Sequence, residues 1–120
     1  MTLSIIKSCT MIFLSLGSSC NLNDIEVWSI LAQDEAQLQL ALDNCGQGCW
    51  YESECTTKCM MGTQNISKEC STCFGTFAEC SYYNCKWKCA WSSHDAGCIN
   101  CVKQYCEASF VNCSGLALPI

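Results

Sequence analysis

The segment from Asn23 to Cys45 carries its apolar residues at helical spacing and contains neither glycine nor proline. These apolar positions follow one another at intervals of three, four and seven residues, and the acidic residues lie mostly elsewhere. They are Ile25, Trp28, Leu31, Leu38, Leu42 and Cys45. The pattern predicts one amphipathic helix, with Asn21 or Asn23 as its N-cap and Gly46 at its end. We expect its apolar face to pack on the cysteine-rich part of the chain; a cleaved pro-segment is the alternative.

Beyond Gly46 the helical period is kept by cysteine. The pattern C-x3-C, a loop and C-x2-C occurs twice, first around MMGTQNISKE and then around AWSSHDAG. The first unit contains Cys55, Cys59, Cys70 and Cys73, and the second contains Cys85, Cys89, Cys98 and Cys101. Spacings of three and four residues place both cysteines of a pair on one helical face. Two helices folded back on each other would form nested cross-links, which in the second unit are Cys89–Cys98 and Cys85–Cys101.

Capping residues mark the ends of the helices that carry these cysteines. Ser67 can cap a helix over residues 68–89, and Ser93 or Asp95 can cap a second helix that Gly115 ends. The stretches MMGTQN and NCGQGCWY are expected to be irregular.

A shorter similarity links CFGTFAECS, residues 73–81, with CEASFVNCS, residues 106–114. Phe77 and Phe110 each lie between two cysteines at the same spacing, on the face that those cysteines share. We predict that both phenylalanines are core residues. The six cysteines of CSTCFGTFAECSYYNCKWKC, residues 70–89, are expected to face inward from one helix and to cross-link it to both neighbours.

These patterns predict an all-α fold, a small disulfide-stapled bundle of three to five helices with a two-unit internal repeat. A chain of 120 residues has room for one domain with a modest core. The expected organisation is a signal peptide at 1–19, the amphipathic helix at 20–45, a cysteine-rich helical domain at 46–116 and a tail at 117–120.

Fifteen cysteines indicate a disulfide scaffold in an oxidising compartment, or metal binding in a reducing one. The N-terminal stretch MTLSIIKSCTMIFLSLGSSC has one cation, an apolar run and small residues after it, the layout of a secretory signal. If it is retained, we expect a partly buried helix, since the run is too short to cross a bilayer. Cleavage after Ser18 or Ser19 would remove Cys9 and leave an even fourteen cysteines, whereas cleavage after Cys20 would leave an odd thirteen. We predict structural disulfides at Cys20, Cys45, Cys49, Cys55, Cys59, Cys70, Cys73, Cys80, Cys85, Cys89, Cys98, Cys101, Cys106 and Cys113.

The charge of the chain argues against two classes of partner. The net charge is −5 and the sequence contains no arginine, the usual residue for gripping phosphate. We therefore predict binding neither to nucleic acid nor to an anionic membrane surface.

Metal and redox chemistry are the alternative roles of the cysteines. Cys70, Cys73, Cys98 and Cys101 could supply four thiolates to zinc, and a C-x2-C pair near a helix N-terminus is also typical of redox sites. A secretory route and the absence of a βαβ pattern favour structural disulfides. We predict no metal site, no cofactor and no catalytic residue.

One further element resembles an enzyme. The run from Cys89 to Cys98, with His94 and Asp95, is similar to the His-Asp helix of secreted phospholipases A2, and CGQGC resembles their calcium loop. The glycines lie more than forty positions upstream of His94, where those enzymes place them close by. We interpret the pair as a loop and a helix cap.

Two sequences have the form of N-glycosylation acceptors, Asn65-Ile66-Ser67 and Asn112-Cys113-Ser114. Asn65 lies in a predicted loop and could carry a glycan in a secreted protein. Asn112 is the weaker candidate, because Cys113 is expected to be bonded within a helix.

Aromatic residues cluster near the cysteines, at Trp50, Tyr51, Tyr82, Tyr83, Trp87 and Trp91. We interpret most of them as core residues. Any that are left exposed would suit an interface with a partner.

The repeat resembles uncharacterised small cysteine-rich secreted proteins of single-celled eukaryotes such as dinoflagellates and ciliates. It appears as SKECSTC and CEASFVNCSG, and the likeness covers residues 45–116. The intervals of Cys73, Cys80, Cys85, Cys89, Cys98 and Cys106 are also similar to the framework of ciliate pheromones, which are small helical mating signals. That second likeness implies the links Cys73–Cys89, Cys80–Cys106 and Cys85–Cys98, which conflict with the nested links above.

We predict a non-enzymatic interaction or signalling module that is secreted or held in an oxidising lumenal compartment. It is expected to bind an unidentified protein partner and not to insert into a membrane by itself. One alternative is an accessory structural subunit on the lumenal or extracellular face of a membrane assembly, anchored by the segment from Asn23 to Cys45. A metal-binding or thiol-redox protein is the third.

Overall fold

The computed structural model describes residues 18–90 and 95–119, and within these ranges all regular structure is helical. The helices are α1 (Leu22–Ala32), α2 (Glu35–Gly46), α3 (Ser53–Gln64), α4 (Lys68–Cys85), α5 (Ala96–Val102) and α6 (Ala108–Ser114). A 3-10 turn (Gln47–Cys49) follows α2, and a π-helical turn (Lys103–Glu107) joins α5 to α6. The predicted all-α fold is confirmed. The signal peptide predicted at 1–19 lies outside the described residues except for Ser18 and Ser19.

The prediction of one helix from Asn23 to Cys45 is wrong, because the segment forms α1 and α2 with a break at Gln33 and Asp34. Asp34 caps the second helix by accepting a hydrogen bond from the backbone N–H of Gln37 at 3.2 Å. A side-chain cap satisfies the free N–H groups of a new first turn, so a helix can restart without glycine or proline.

Helix α3 extends further than predicted, because residues 60–64 of the expected loop continue the helix. The helix ends where Asn65 adopts a left-handed conformation, with φ of 58°. Only three residues then separate α3 from α4, which Ser67 caps as predicted through the N–H of Cys70. Helix α4 ends at Cys85, one turn before the predicted region of Cys89.

Helices α3 and α4 form a tight antiparallel hairpin with its closest approach at Gly75. A Cβ atom on Gly75 would overlap the carbonyl oxygen of Ser53 and the side chain of Thr57. The absence of a side chain is what lets the two backbones approach at this point.

Helices α5 and α6 and the π-helical turn between them form one continuous helix, which Asp95 caps at its start and Gly115 at its end. Cys101 and Cys106 are five residues apart, an interval that an α-helix turns through about 500° and so places on different faces. A π-helical turn has the wider i→i+5 bonding pattern and inserts about one extra residue. It therefore aligns Cys106 and the residues after it with the cysteines of α5.

The core is centred on three aromatic rings from α1, α4 and α6. The Trp28 and Phe74 ring centroids lie 5.3 Å apart, and those of Phe74 and Phe110 lie 5.0 Å apart. The indole N–H of Trp28 also donates to the carbonyl oxygen of Ala117 at 3.0 Å, and Leu118 is buried. Leu118 is thus packed in the core and the backbone of Ala117 is hydrogen-bonded to it, although the sequence predicted a tail. None of the described helices has the length and apolarity needed to cross a membrane.

Candidate functional site

Every cysteine in the described part of the chain belongs to a disulfide. The seven bonds are Cys20–Cys70, Cys45–Cys59, Cys49–Cys55, Cys73–Cys113, Cys80–Cys106, Cys85–Cys101 and Cys89–Cys98. Cys9 lies outside the described residues. The chain is a cysteine-rich, disulfide-bonded helical protein, and so many bonds in so small a chain are typical of an oxidising compartment.

The second C-x3-C and C-x2-C unit carries the nested bonds Cys89–Cys98 and Cys85–Cys101 that the spacing suggests. The first unit does not, because Cys59 bonds backwards to Cys45 at the end of α2 and Cys55 bonds to Cys49 in the 3-10 turn that follows. The two-unit repeat is therefore not confirmed. A C-x3-C pair on a helix can reach a partner helix on either side, and spacing alone does not choose between them.

The links implied by the pheromone likeness are mostly wrong. Cys80–Cys106 is present, but Cys73 bonds to Cys113 and Cys85 bonds to Cys101. The π-helical turn contributes to the Cys73–Cys113 link, since it brings Cys113 onto the face that meets α4, whereas Cys98 and Cys101 lie before the turn.

The two similar segments, 73–81 and 106–114, pack against each other and run antiparallel. The bonds Cys73–Cys113 and Cys80–Cys106 lie on either side of the Phe77 and Phe110 rings, whose centroids are 5.2 Å apart. Phe110 is fully buried, as predicted, whereas Phe77 is only partly buried.

The cysteines proposed as zinc ligands belong to four separate disulfides and present no thiolate set. A second group, Cys20, Asp24 and Cys70, has its ligand atoms within 4.8 Å of one another, but its two sulfur atoms are bonded together. Of the phospholipase-like pair, His94 lies outside the described residues and Asp95 caps α5.

Buried Asp24 joins α1 to the start of α4. One carboxylate oxygen accepts from the backbone N–H of Ser67 at 2.8 Å, and the other accepts from the Ser67 hydroxyl at 2.6 Å. Asp24 also accepts from the N–H of Asn21 at 3.0 Å and so completes the capping box of α1. These bonds compensate the burial of the carboxylate, and the arrangement is structural.

An aromatic surface lies where the end of α4 meets the turn after α2. We define it as Trp50, Tyr51, Tyr82, Tyr83, Lys86 and Trp87. The exposed fractions of Trp50, Tyr83 and Trp87 are 88%, 74% and 82%. The Tyr51 and Tyr82 ring centroids are 6.0 Å apart and those of Tyr82 and Tyr83 are 5.5 Å apart, so these three rings form a connected set. Trp50 precedes Tyr51 in the chain, and Lys86 lies within cation–π range of both Tyr82 and Trp87. The interpretation of these aromatic residues as mainly core is wrong, and Trp91 lies outside the described residues.

The turn that presents Trp50 is held in an uncommon backbone conformation. Trp50 and Tyr51 both have left-handed φ angles, of 54° and 61°. Their N–H groups donate to the carbonyl oxygens of Gln47 and Gly46, each at 2.9 Å, and the Cys49–Cys55 bond closes the loop. Such conformations in large side chains persist only where the surroundings impose them, and they concentrate at functional sites.

Lysine gives this surface a positive edge. The Lys86 ammonium lies 5.2 Å from the Tyr82 ring centroid and 5.4 Å from that of Trp87, within cation–π range. The sequence has no acidic residue between positions 80 and 94. Among the described residues, Lys58 pairs with Glu54 at 3.2 Å, whereas Lys86 and Lys88 have no carboxylate at salt-bridge distance.

One acidic residue, Asp43, lies close enough to Tyr51 to affect it. Burial raises the pKa of Tyr51 above its ordinary value of 10.0, the nearby charge of Asp43 raises it further, and a hydrogen bond with Gln47 opposes both. The aromatic surface is therefore bordered by an anion on the Tyr51 side and by cations on the Trp87 side.

The sequence does contain a signal for this surface. Trp87 lies between Lys86 and Lys88, a pattern that does not bury well on any helical face. Comparison with known proteins adds no further assignment, since no protein-family model, curated protein or solved structure matches the chain.

Proposed function

We propose that this chain is a secreted, non-enzymatic interaction module that binds a protein partner through its aromatic surface. The observation that supports this most is the exposure of Trp50, Tyr83 and Trp87 on a disulfide-bonded scaffold. Contiguous apolar surface that the fold leaves uncovered is a feature of interaction sites.

The binding energy would come from covering rings that the free protein leaves in water. Tyrosine and tryptophan dominate the residues whose truncation most weakens interfaces. The strained turn and the Cys49–Cys55 bond hold Trp50 in place before binding, which lowers the entropy lost on association.

The charges specify the chemistry of the partner. Lys86 and Lys88 favour a protein surface that presents carboxylates beside an apolar patch. Lys86 keeps its ammonium donors available for such a carboxylate while its cation–π contacts hold it near the rings.

The second candidate, an accessory structural subunit, is favoured by a different surface. Leu22 and Ile30 on α1 are 67% and 61% exposed, and Leu40 on α2 is also exposed. This helix-pair surface could anchor the chain on a larger assembly.

Matched variants separate the two candidates. The oxidised wild-type protein, Trp50→Ser/Trp87→Ser and Leu22→Ser/Ile30→Ser would be immobilised and exposed to extracellular and membrane fractions of the source organism. Intact mass and circular dichroism would first show that all three are equally folded and oxidised. We expect one acidic protein that binds the wild type and the α1 variant but loses at least about tenfold in affinity for the tryptophan variant.

Binding to that protein should also weaken in Lys86→Gln/Lys88→Gln and with rising salt. Loss of capture only in the α1 variant, from a membrane complex, would instead support the accessory subunit. Equal capture by every variant would contradict both proposals.

A further inference from the structure

The loop between α3 and α4 contains the acceptor sequence Asn65-Ile66-Ser67. Asn65 is exposed and ends α3 in its left-handed conformation, so its side chain projects from a turn and not from a helix. A bulky group on Asn65 would therefore meet solvent and displace no packed residue.

The other residues of this acceptor sequence are held by the folded structure. Ile66 is buried, and the Ser67 hydroxyl donates to Asp24 while it accepts from the N–H of Cys70 at 3.3 Å. The Cys20–Cys70 bond fixes the chain before α1 against the first turn of α4. The hydroxyl that an N-glycosylation acceptor must present is thus covered only when α1 has docked.

In the second acceptor sequence, Asn112-Cys113-Ser114, the serine hydroxyl is occupied by a different kind of hydrogen bond. It lies within α6, where the Ser114 hydroxyl donates to the carbonyl oxygen of Phe110, four residues earlier, at 2.7 Å. That bond is local, so it forms with the helix itself and needs no docking step.

We propose that Asn65 carries an N-linked oligosaccharide whose attachment competes with the docking of α1, and that Asn112 remains unmodified. The donor is a lipid-linked oligosaccharide diphosphate. The Asn65 side-chain nitrogen bonds to the anomeric carbon, the bond from that carbon to the diphosphate oxygen breaks with its electrons leaving on the lipid diphosphate, and the nitrogen loses one proton to a base of the transferase.

Timescales explain why the two acceptors differ. A helix forms in about a microsecond or less, whereas disulfides form over seconds to hours. The acceptor sequence at Asn112 therefore becomes inaccessible to the transferase almost as soon as α6 forms. Asn65 stays accessible at the tip of the α3–α4 hairpin until Asp24 binds Ser67 and Cys20 bonds to Cys70.

Purified full-length chain, refolded without a glycan, provides the direct test. It would be incubated with a purified oligosaccharyltransferase and the lipid-linked donor, then reduced, alkylated and cut with trypsin. Cleavage after lysine separates the acceptors into peptides 59–68 and 104–120, so mass spectrometry reads each one independently.

We expect Asn65 to be modified at least about tenfold faster in Cys20→Ser/Cys70→Ser than in the oxidised wild type, because access no longer requires the docked region to open. Asp24→Asn, which leaves every disulfide in place, should also raise the rate. Cys49→Ser/Cys55→Ser, which removes a bond at the opposite end of α3, is the matched control and should behave as the wild type.

Equal rates of Asn65 modification in the oxidised wild type, the Cys20/Cys70 variant and the Asp24 variant would overturn the competition. An equal gain of rate in the Cys49/Cys55 control and the Cys20/Cys70 variant would also overturn it. Failure of the fully reduced chain to accept a glycan at Asn65 would overturn the site itself.

This inference rests on the proposed function in one respect only, which is that the chain enters the secretory route. Full-length chain expressed in a eukaryotic secretory host should reach the medium oxidised, glycosylated at Asn65 and unmodified at Asn112. An oxidised product in the medium without a glycan at Asn65 would refute this inference and leave partner binding by the aromatic surface untouched.

Discussion

Phe77 and Phe110 hold equivalent positions in the sequence but unequal positions in the packing. Phe110 contacts the rings of Trp28, Phe74 and Phe77, with centroid distances of 6.5, 5.0 and 5.2 Å. Phe77 stands at the edge of this cluster and is partly exposed. A shared spacing places a side chain on the right face of its helix, but only the neighbouring helices determine how completely that face is covered.

Truncation should reveal this inequality. We expect Phe110→Ala to lower the free energy of unfolding by about 3–5 kcal/mol, because it empties the centre of the core. Phe77→Ala should cost about 1–2 kcal/mol, since less apolar surface leaves water at that site. Denaturant unfolding of the oxidised proteins measures both, and reverse-phase chromatography after refolding should show more scrambled species for Phe110→Ala. Equal losses would contradict the observed packing.

The raised pKa of Tyr51 predicts a loss of stability at high pH. The folded state holds the phenolic proton more tightly than the unfolded state, whose tyrosine titrates near the ordinary value of 10.0. The contribution is therefore fully present below that pH and is lost as the pH rises through the folded-state pKa. Tyr51→Phe should flatten this part of the stability profile. The difference in tyrosinate absorbance between wild type and variant, recorded within seconds of a pH jump, gives the pKa directly.

At the scale of the elements, the α3–α4 hairpin depends on backbone contact and not on a disulfide. Neither Cys55 nor Cys59 bonds to α4, and the close approach at Gly75 takes the place of a covalent link. The contact between α4 and the continuous helix from α5 to α6 is instead covalent, since three disulfides span it.

Two helical glycines test this interpretation. Gly75→Ala should destabilise the protein by about 1–3 kcal/mol, because the new methyl group meets the backbone of α3 and forces the helices apart. Gly62→Ala is the matched control, since a Cβ atom there meets no heavy atom within 4 Å. It should stabilise the protein by up to about 1 kcal/mol through helix propensity alone. Thermal unfolding of both variants would show opposite signs, and a stabilising Gly75→Ala would refute the close approach.

At the scale of the whole molecule, disulfides compensate for a small core. The bonds differ in what they constrain: Cys20–Cys70 closes a separation of 50 residues between buried cysteines, whereas Cys49–Cys55 closes one of 6 beside the exposed turn. The first therefore holds the tertiary fold together, and the second shapes one surface.

Removing these two bonds should have different consequences. In the chain-entropy model, Cys20→Ser/Cys70→Ser should cost about 4 kcal/mol and Cys49→Ser/Cys55→Ser about 2 kcal/mol. Guanidinium unfolding of the two variants gives the comparison. Intact mass before and after reduction should show a gain of two hydrogen atoms for each bond. Bound metal with no change of mass on reduction would contradict the disulfide framework.

The sequence by itself determined the helical class, the caps at Ser67, Asp95 and Gly115, and the use of cysteine as a structural residue. These features depend on local periodicity, on hydrogen bonds within one turn and on composition, all of which can be read along the chain.

Tertiary structure decided the remainder. The partners of Cys55, Cys59 and Cys73 depended on which helices became neighbours and on the added rotation of the π-helical turn. The exposure of Trp50 depended on how much apolar surface the other helices could cover. Contacts between distant segments set both outcomes, and residue spacing constrains such contacts without choosing among them.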